Sequence, residues 1–126
     1  MKVTESAIRG ILSRWRPRLG LDERWHIEVK IYPPTSKIPR LLRGSAAAIE
    51  PKPEYFQAVI HVSVDECEDH ADGLEAVVLH ELLHLVTWPI AIAARDGLGE
   101  RNAATWTLLM EQMVETLTRA LLRPKE

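Results

Sequence analysis

Two histidines and a glutamate offer the densest chemistry in the chain. Leu79-His80-Glu81-Leu82-Leu83-His84-Leu85 carries the HExxH pattern. On a helix, residues four apart lie about 40° apart around the axis and about 6 Å apart along it. His80 and His84 would then point the same way and could share one metal ion. Glu81, about 100° round from His80, would stand beside that metal rather than on it, where a base acting on a metal-bound water belongs. Between Val77 and Val86 the only other side chains are Val and Leu, and they cover nearly the whole circumference. A helix apolar all round is a buried helix. Two imidazoles and a carboxylate are costly to bury unless something satisfies them, and a metal with a bound water would do so. The alternative is two core histidines bonded to carbonyls and a glutamate reaching the surface.

The elements that must position these residues can be read on either side. Residues 4–16 form an amphipathic pattern with Thr4 as N-cap, Ile8, Ile11, Leu12 and Trp15 on one face, and Pro17 and Gly20 as the stop. Trp25, Ile27, Val29 and Ile31 alternate with His26, Glu28 and Lys30, the signature of a half-buried strand. Residues 33–43 should be an exposed loop, broken by Pro33, Pro34 and Pro39. Gly44–Glu50 reads weakly as a strand of small residues. Tyr55–Val64 reads strongly as one, with Phe56, Ala58, Ile60, Val62 and Val64 in one row and His61 in the other. His61 is expected on the sheet surface, with a supporting place near a metal as the alternative.

Asp72-Gly73-Leu74-Glu75 has capping-box spacing, Asp72 as N-cap and Glu75 at N3, and the acidic run from Asp65 to Asp69 suits the positive end of the helix it precedes. The HExxH helix is expected to stop before Pro89, with residues 88–100 as a loop. A last helix is expected over about 101–123, ended by Pro124. Its apolar arc takes in Ala103, Trp106, Met110, Met113, Val114, Leu117 and Leu121 and widens to Leu108 and Leu122. Glu111 and Glu115 sit inside that arc. Two carboxylates at i and i+4 repel unless a cation or donors lie between them.

Length and composition bound what surrounds this chemistry. The 126 residues make one domain, 1–126, with 46% hydrophobic and 27% charged residues and a net charge of -2. Residues 1–52 hold 11 Lys/Arg and 5 Asp/Glu (+6), and residues 53–126 hold 5 and 13 (-8). The basic half lacks the interleaved aromatics of a nucleic-acid motif, so solvated faces are the expectation and a nucleic-acid partner is not. Cys67 is the single cysteine, which rules out an internal disulfide and a cysteine zinc cage and suits a reducing compartment. Met1–Ser6 does not lead into an apolar signal core, and no uninterrupted apolar run approaches the ~18 residues of a span. The expected location is cytoplasmic, with no membrane partner.

Taken together, Val78–Leu85, the stretch carrying Leu19, Leu21, Trp25, Ile27 and Val29, and Glu111-Gln112-Met113-Val114-Glu115 resemble the minimal zincins. These are small HExxH zinc metallopeptidases, here most similar to the compact one-domain metallopeptidases of phage and prophage genomes. The HExxH segment is the specific part. The resemblance implies an α+β minimal zincin fold: an N-terminal helix, a small, mostly three-stranded sheet, a buried HExxH helix and a C-terminal helix. It implies Zn²⁺ held by His80, His84 and a third ligand, Glu81 as general base, and a peptide or protein substrate lying extended along a sheet edge at residues 45–50. No histidine follows His84, so the third-histidine subclasses do not fit. The gluzincin arrangement takes a glutamate from a following helix and an acidic residue one turn on. It assigns Glu111 as ligand and Glu115 as the residue orienting a zinc-bound histidine. Met110 stands where thermolysin-like proteins usually have Asn, which leaves the roles of Glu111 and Glu115 exchangeable, with Glu100 next in line. Counted from Met110, Glu111 should be the deeper of the pair. The alternative function is a non-catalytic zinc protein, or a regulatory factor acting on a dedicated protein partner, with a nucleic-acid association conceivable through the basic half.

Overall fold

A computed structural model of the chain describes residues 3–21, 23–34, 37–68, 70 and 72–123. The chain is α+β. Helix α1 (Glu5–Leu19) leads into strand β1 (His26–Tyr32). Strands β2 (Ala47–Lys52) and β3 (Gln57–Ser63) follow, then a short helix α2 (Val64–Glu68), the long helix α3 (Gly73–Leu98) and helix α4 (Ala103–Leu122). The three-stranded sheet has the order β1-β3-β2, with β1 parallel and β2 antiparallel to the central β3.

One face of the sheet carries Ile27, Ala58, Ile60, Val62 and Ala47, all buried. They pack with Ile8, Ile11, Leu12 and Trp15 of α1 and with Val78, Leu79, Leu82 and Leu83 of α3 in one core. The α1 face is the one the heptad-like spacing predicts. Thr4 caps it as expected, its Oγ1 accepting from the Ala7 N–H at 3.1 Å. The helix runs three residues further than expected, because Pro17 falls in the last turn, where few amide bonds remain to be lost. Gly20 then ends it at φ 72°, and the Leu21 N–H closes on the Arg16 carbonyl at 2.9 Å.

Several local expectations are corrected. Strand β2 starts three residues later and ends two residues later than Gly44–Glu50. Strand β3 omits both ends of Tyr55–Val64: Tyr55 is in a 3-10 turn, Phe56 takes a left-handed φ of 51° and packs edge-on to Trp25, and Val64 opens α2. Phe56 is therefore 43% exposed rather than in the inward row. The segment 33–43 is not wholly an exposed loop. A 3-10 turn at Arg40–Leu42 buries Leu42 completely, while Lys37, Arg40 and Arg43 stay exposed. Thr35, Ser36, Asp69 and Pro124 lie outside the described residues.

The capping box at Asp72 does not form. Asp72 occupies the N-cap position without a side-chain bond to the helix. Glu75 is drawn away instead, accepting from Trp15 Nε1 at 2.8 Å and pairing with Arg14 at 3.3 Å. That exchange ties α3 to α1 in place of a local cap. Helix α3 also does not stop at Pro89 but continues to Leu98. Proline removes one amide bond and crowds the preceding turn, at roughly 3 kcal/mol. Packing against α4 along the rest of α3 offsets that loss, since these two helices form the most extensive helix–helix contact in the molecule. The expected loop at 88–100 is thereby reduced to Gly99 and a 3-10 turn at Glu100–Asn102. By length and apolarity α3 would suffice to cross a membrane, and half of that apolar stretch is buried within the fold.

Candidate metal centre

The centre forms where α3 passes between the free edge of β2 and α4. Antiparallel pairing alternates residues that bond across the ladder with residues that face away. The Ser63 N–H bonds the Ala46 carbonyl at 2.9 Å, which sets the phase. Ala48 and Glu50 therefore bond to β3, while the N–H and C=O groups of Ala47 and Ile49 point off the edge. The edge strand at 47–52 overlaps the 45–50 that the resemblance implies. Ala46, Ala47, Ala48 and Ile49 line a cleft of about 710 Å³ whose other walls include His80, Glu81, His84, Trp88, Glu111 and Glu115.

The helical spacing holds. His80 and His84 lie on the same side of α3, ring centroids 5.0 Å apart. Glu111 Oε2 lies 3.1 Å from His80 Nε2, and its Oε1 lies 3.0 Å from His84 Nε2. Suitable atoms of His80, His84 and Glu111 all fall within 4.8 Å of one another. Glu115 is placed differently, with Oε2 3.1 Å from His80 Nδ1. Arg119 holds its other oxygen at 2.9 Å. The structure thus separates the two glutamates by which ring nitrogen they face. Glu100 sits in the exposed 3-10 turn before α4 and does not line the cleft, so it is no longer a candidate.

These residues fit a metal on a simple count of protons. Both nitrogens of His80 face carboxylate oxygens. A neutral imidazole has one N–H, so it satisfies only one of them. With Nδ1–H given to Glu115, a neutral ring leaves the Nε2 lone pair facing an anionic oxygen; either a second ring proton or a cation between them removes the conflict. Tetrahedral zinc with bonds near 2.0–2.2 Å needs donors about 3.3–3.5 Å apart. The Glu111 contacts to the two rings, 3.0–3.1 Å, are a little shorter than that, and the three donors together lie within 4.8 Å of one another.

Depth corrects one expectation. The side chain of Glu111 is 51% exposed and that of Glu115 41%, so Glu111 is not the deeper residue. Helix α4 buries Val114 and Thr118 rather than Met110, and the Glu111 carboxylate reaches out into the open cleft. Most of the arc expected on α4 is in fact half-exposed.

Glu81 is the buried member, 8% exposed. Burial, and then the negative charge of Glu111, pushes its carboxyl from 4.5 up to about 8, against the pull of the Ile49 backbone hydrogen bond. That bond comes from the outward-facing edge of β2, so strand and helix are stitched together at Glu81 itself. Burial also lowers the His84 pKa, with His80 acting in the same direction and Glu111 opposing. A low pKa keeps its lone pair free at neutral pH. The Arg119 bond, with further help from His80, holds the Glu115 carboxyl below the usual carboxylate range, opposed by modest burial.

His61 is on the outer face of the sheet, as expected, but only 4% exposed. It is enclosed by Tyr32, whose hydroxyl is 2.8 Å from Nδ1, and by Glu50, 3.4 Å from Nε2. It does not line the metal cleft. The sequence also gave no sign of Trp88 and His70 as cleft walls; both depend on α3 passing Pro89 and on the turn before α3. Comparison with protein-family models, curated proteins and solved structures finds no match.

Proposed function

We propose that the chain is a zinc-dependent metallopeptidase of the minimal zincin kind, with His80, His84 and Glu111 as ligands and Glu81 as general base. The observation that supports this most is the convergence of two Nε2 atoms and one carboxylate in an open cleft, beside a second, buried carboxyl, that of Glu81, facing a free strand edge. Structural zinc sites close with four protein ligands, whereas catalytic sites keep a position open. Among the described residues only three converge here. A zinc ion in this place would supply Lewis-acid activation of water and of the scissile carbonyl.

The chain's own residues divide the remaining work. Glu115 fixes the tautomer of His80 by accepting from Nδ1, so that Nε2 is the donor to metal. Glu111 bridges the two imidazoles and compensates the charge of a dication. Glu81 takes a proton from the attacking water and delivers it to the leaving amine. In the metal-free protein Glu81 is held protonated up to about pH 8. Neutralising Glu111 and adding positive charge both act to lower that value, which brings the base into its working form when the site is filled. The outward N–H and C=O of Ala47 and the C=O of Ile49 offer an extended peptide main-chain partners by strand addition. The methyl side chains of Ala46 and Ala48 leave room for substrate side chains.

Zinc content of protein purified without chelator, followed by cleavage of a mixed peptide library with and without chelator, tests the proposal. Stoichiometric zinc with chelator-sensitive cleavage is expected. Protein that takes up no zinc when it is offered refutes the site. Protein that holds zinc firmly and cuts nothing in the library removes the peptidase reading and favours a non-catalytic zinc protein.

A further inference from the structure

The helical hairpin formed by α3 and α4 has a second face that the metal centre does not use. From Leu82 to Ala94 of α3 there is no Asp, Glu, Lys or Arg. From Ala103 to Thr118 of α4 the only charged residues are Glu111 and Glu115, both committed to the cleft. A solvent-facing helix surface ordinarily carries charge. Here it carries apolar side chains instead. Seven of the ten large apolar residues exposed among the described residues lie on this hairpin, among them Ile90 at 55%, Leu109 at 51% and Leu117 at 37%. Scattered exposed leucines need no explanation, but a concentration without charge does.

Helix geometry places five of the seven, Val86, Ile90, Leu109, Leu117 and Leu121, away from the cleft, whereas Leu98 and Leu108 lie about 40° from His84 and about 20° from Glu115, on the cleft side. Leu109 and Leu117 lie about 120–160° round α4 from Glu111 and Glu115. On α3, Val86 and Ile90 lie about 140–180° from Glu81. Helix α1 covers the same flank of α3 only along its first half, through Trp15 and Glu75 and the core leucines. Val86 and Ile90 continue that flank past the end of α1. On α4, Trp106, Met110, Met113, Leu117 and Ala120 follow a 4-3-4-3 spacing, the seam spacing of helices that pair along their length. Each of these five is half-exposed or exposed.

We propose that this charge-free face is the interface of a homodimer, in which the hairpins of two copies pack across a two-fold axis as a four-helix bundle. A seam of this kind is self-complementary, and a two-fold brings the same patch to itself. It contains no charged group to select a different partner. The area matches the low end of stable interfaces. A complete Leu or Ile side chain offers on the order of 100 Å² of apolar surface. The five exposed residues of this flank, with half-buried Trp106, Met110 and Met113, therefore present roughly 300–350 Å² per copy. The smaller stable interfaces bury about 600 Å² per partner, of which about 57–65% is apolar. The two metal clefts stay open on the outer sides of such a bundle, so dimerisation neither requires zinc nor blocks the strand edge.

Sedimentation equilibrium of the full chain tests this, with and without added zinc. The wild type is expected to sediment as a dimer at about 10 μM, within the affinity range of interfaces of this size. Leu109→Glu and Leu117→Glu change exposed residues, and each should raise the dimer dissociation constant at least ~100-fold while leaving helical circular dichroism and zinc content intact. Tyr55→Glu, an exposed residue remote from the hairpin, should leave the dimer unchanged. Wild-type protein that remains monomeric at about 100 μM overturns the proposal, even if it then binds lipid vesicles or another protein through this face. A dimer that survives both leucine substitutions overturns it as well.

Discussion

Replacing Glu111 and Glu115 one at a time separates a ligand from a residue that aims a ligand. The structure gives the two carboxylates different partners: Glu111 faces Nε2 of both histidines at 3.0–3.1 Å, and Glu115 faces Nδ1 of His80 at 3.1 Å. Glu111→Ala deletes one of the three proposed metal donors and, among the described residues, the only carboxylate touching both imidazoles. Glu115→Ala keeps all three donors and loses only the lock on the His80 tautomer and the basicity it lends. Losses of that second type run to ~10–100-fold in metal affinity, or about 1.4–2.8 kcal/mol at 1.4 kcal/mol per tenfold. Glu111→Ala should therefore weaken zinc by clearly more than 100-fold and Glu115→Ala by no more than that. Arg119→Ala, which frees one oxygen of Glu115, should have a smaller effect still. Competition against a coloured chelator, in one buffer at one pH, ranks the three. A Glu115→Ala protein that is empty while Glu111→Ala remains filled would reverse the assigned roles. If neither substitution moves the dissociation constant, the site as drawn is wrong.

Glu81→Gln should keep zinc and lose on the order of 10²-fold or more in peptide cleavage, measured on protein whose zinc content is checked beforehand; full activity in the loaded variant would remove Glu81 as the base. The empty protein should lose stability as pH rises. Glu81 has a folded pKa near 8 against 4.5, so its contribution is whole below pH 4.5 and fades up to pH 8, by about 3–5 kcal/mol at 1.36 kcal/mol per unit. His84, with a lowered pKa, works in the opposite sense, destabilising below its unfolded value near 6.5. The test is therefore the stability of wild type minus that of Glu81→Gln in chelator-treated urea melts, which should fall steadily from pH 5 to pH 8, because only the wild type carries a titrating group there; a flat difference contradicts the burial argument. Pro89→Ala should stabilise the protein by ~2 kcal/mol, the ~3 kcal/mol of a mid-helix proline less the ~0.4–1 kcal/mol by which proline restrains the unfolded chain. A lowered urea midpoint would mean that Pro89 shapes α3 in a way its neighbours depend on.

What the sequence made legible follows the range of the forces involved. Periodicity is a local signal, and α1, β1, β3 and the buried start of α3 all obey it, because each presents one face to a single core. His80 and His84 were readable for the same reason: their spacing fixes their relation whatever surrounds the helix. The failures are places where a distant partner overrode a local rule. Glu75 had the right spacing to cap α3 and was taken by Trp15, sixty residues away. Pro89 had the right chemistry to end α3 and was overruled by packing along α4. That override matters to the site. Extending α3 to Leu98 makes α4 return antiparallel beside it, which brings Glu111 level with His84 and Glu115 level with His80. A helix that stopped at Pro89 would leave the return path undetermined. The apolar arc of α4 misled in the opposite direction. Its spacing predicts core, yet most of its residues are half-exposed in a single chain, which is the observation from which the hairpin interface is argued.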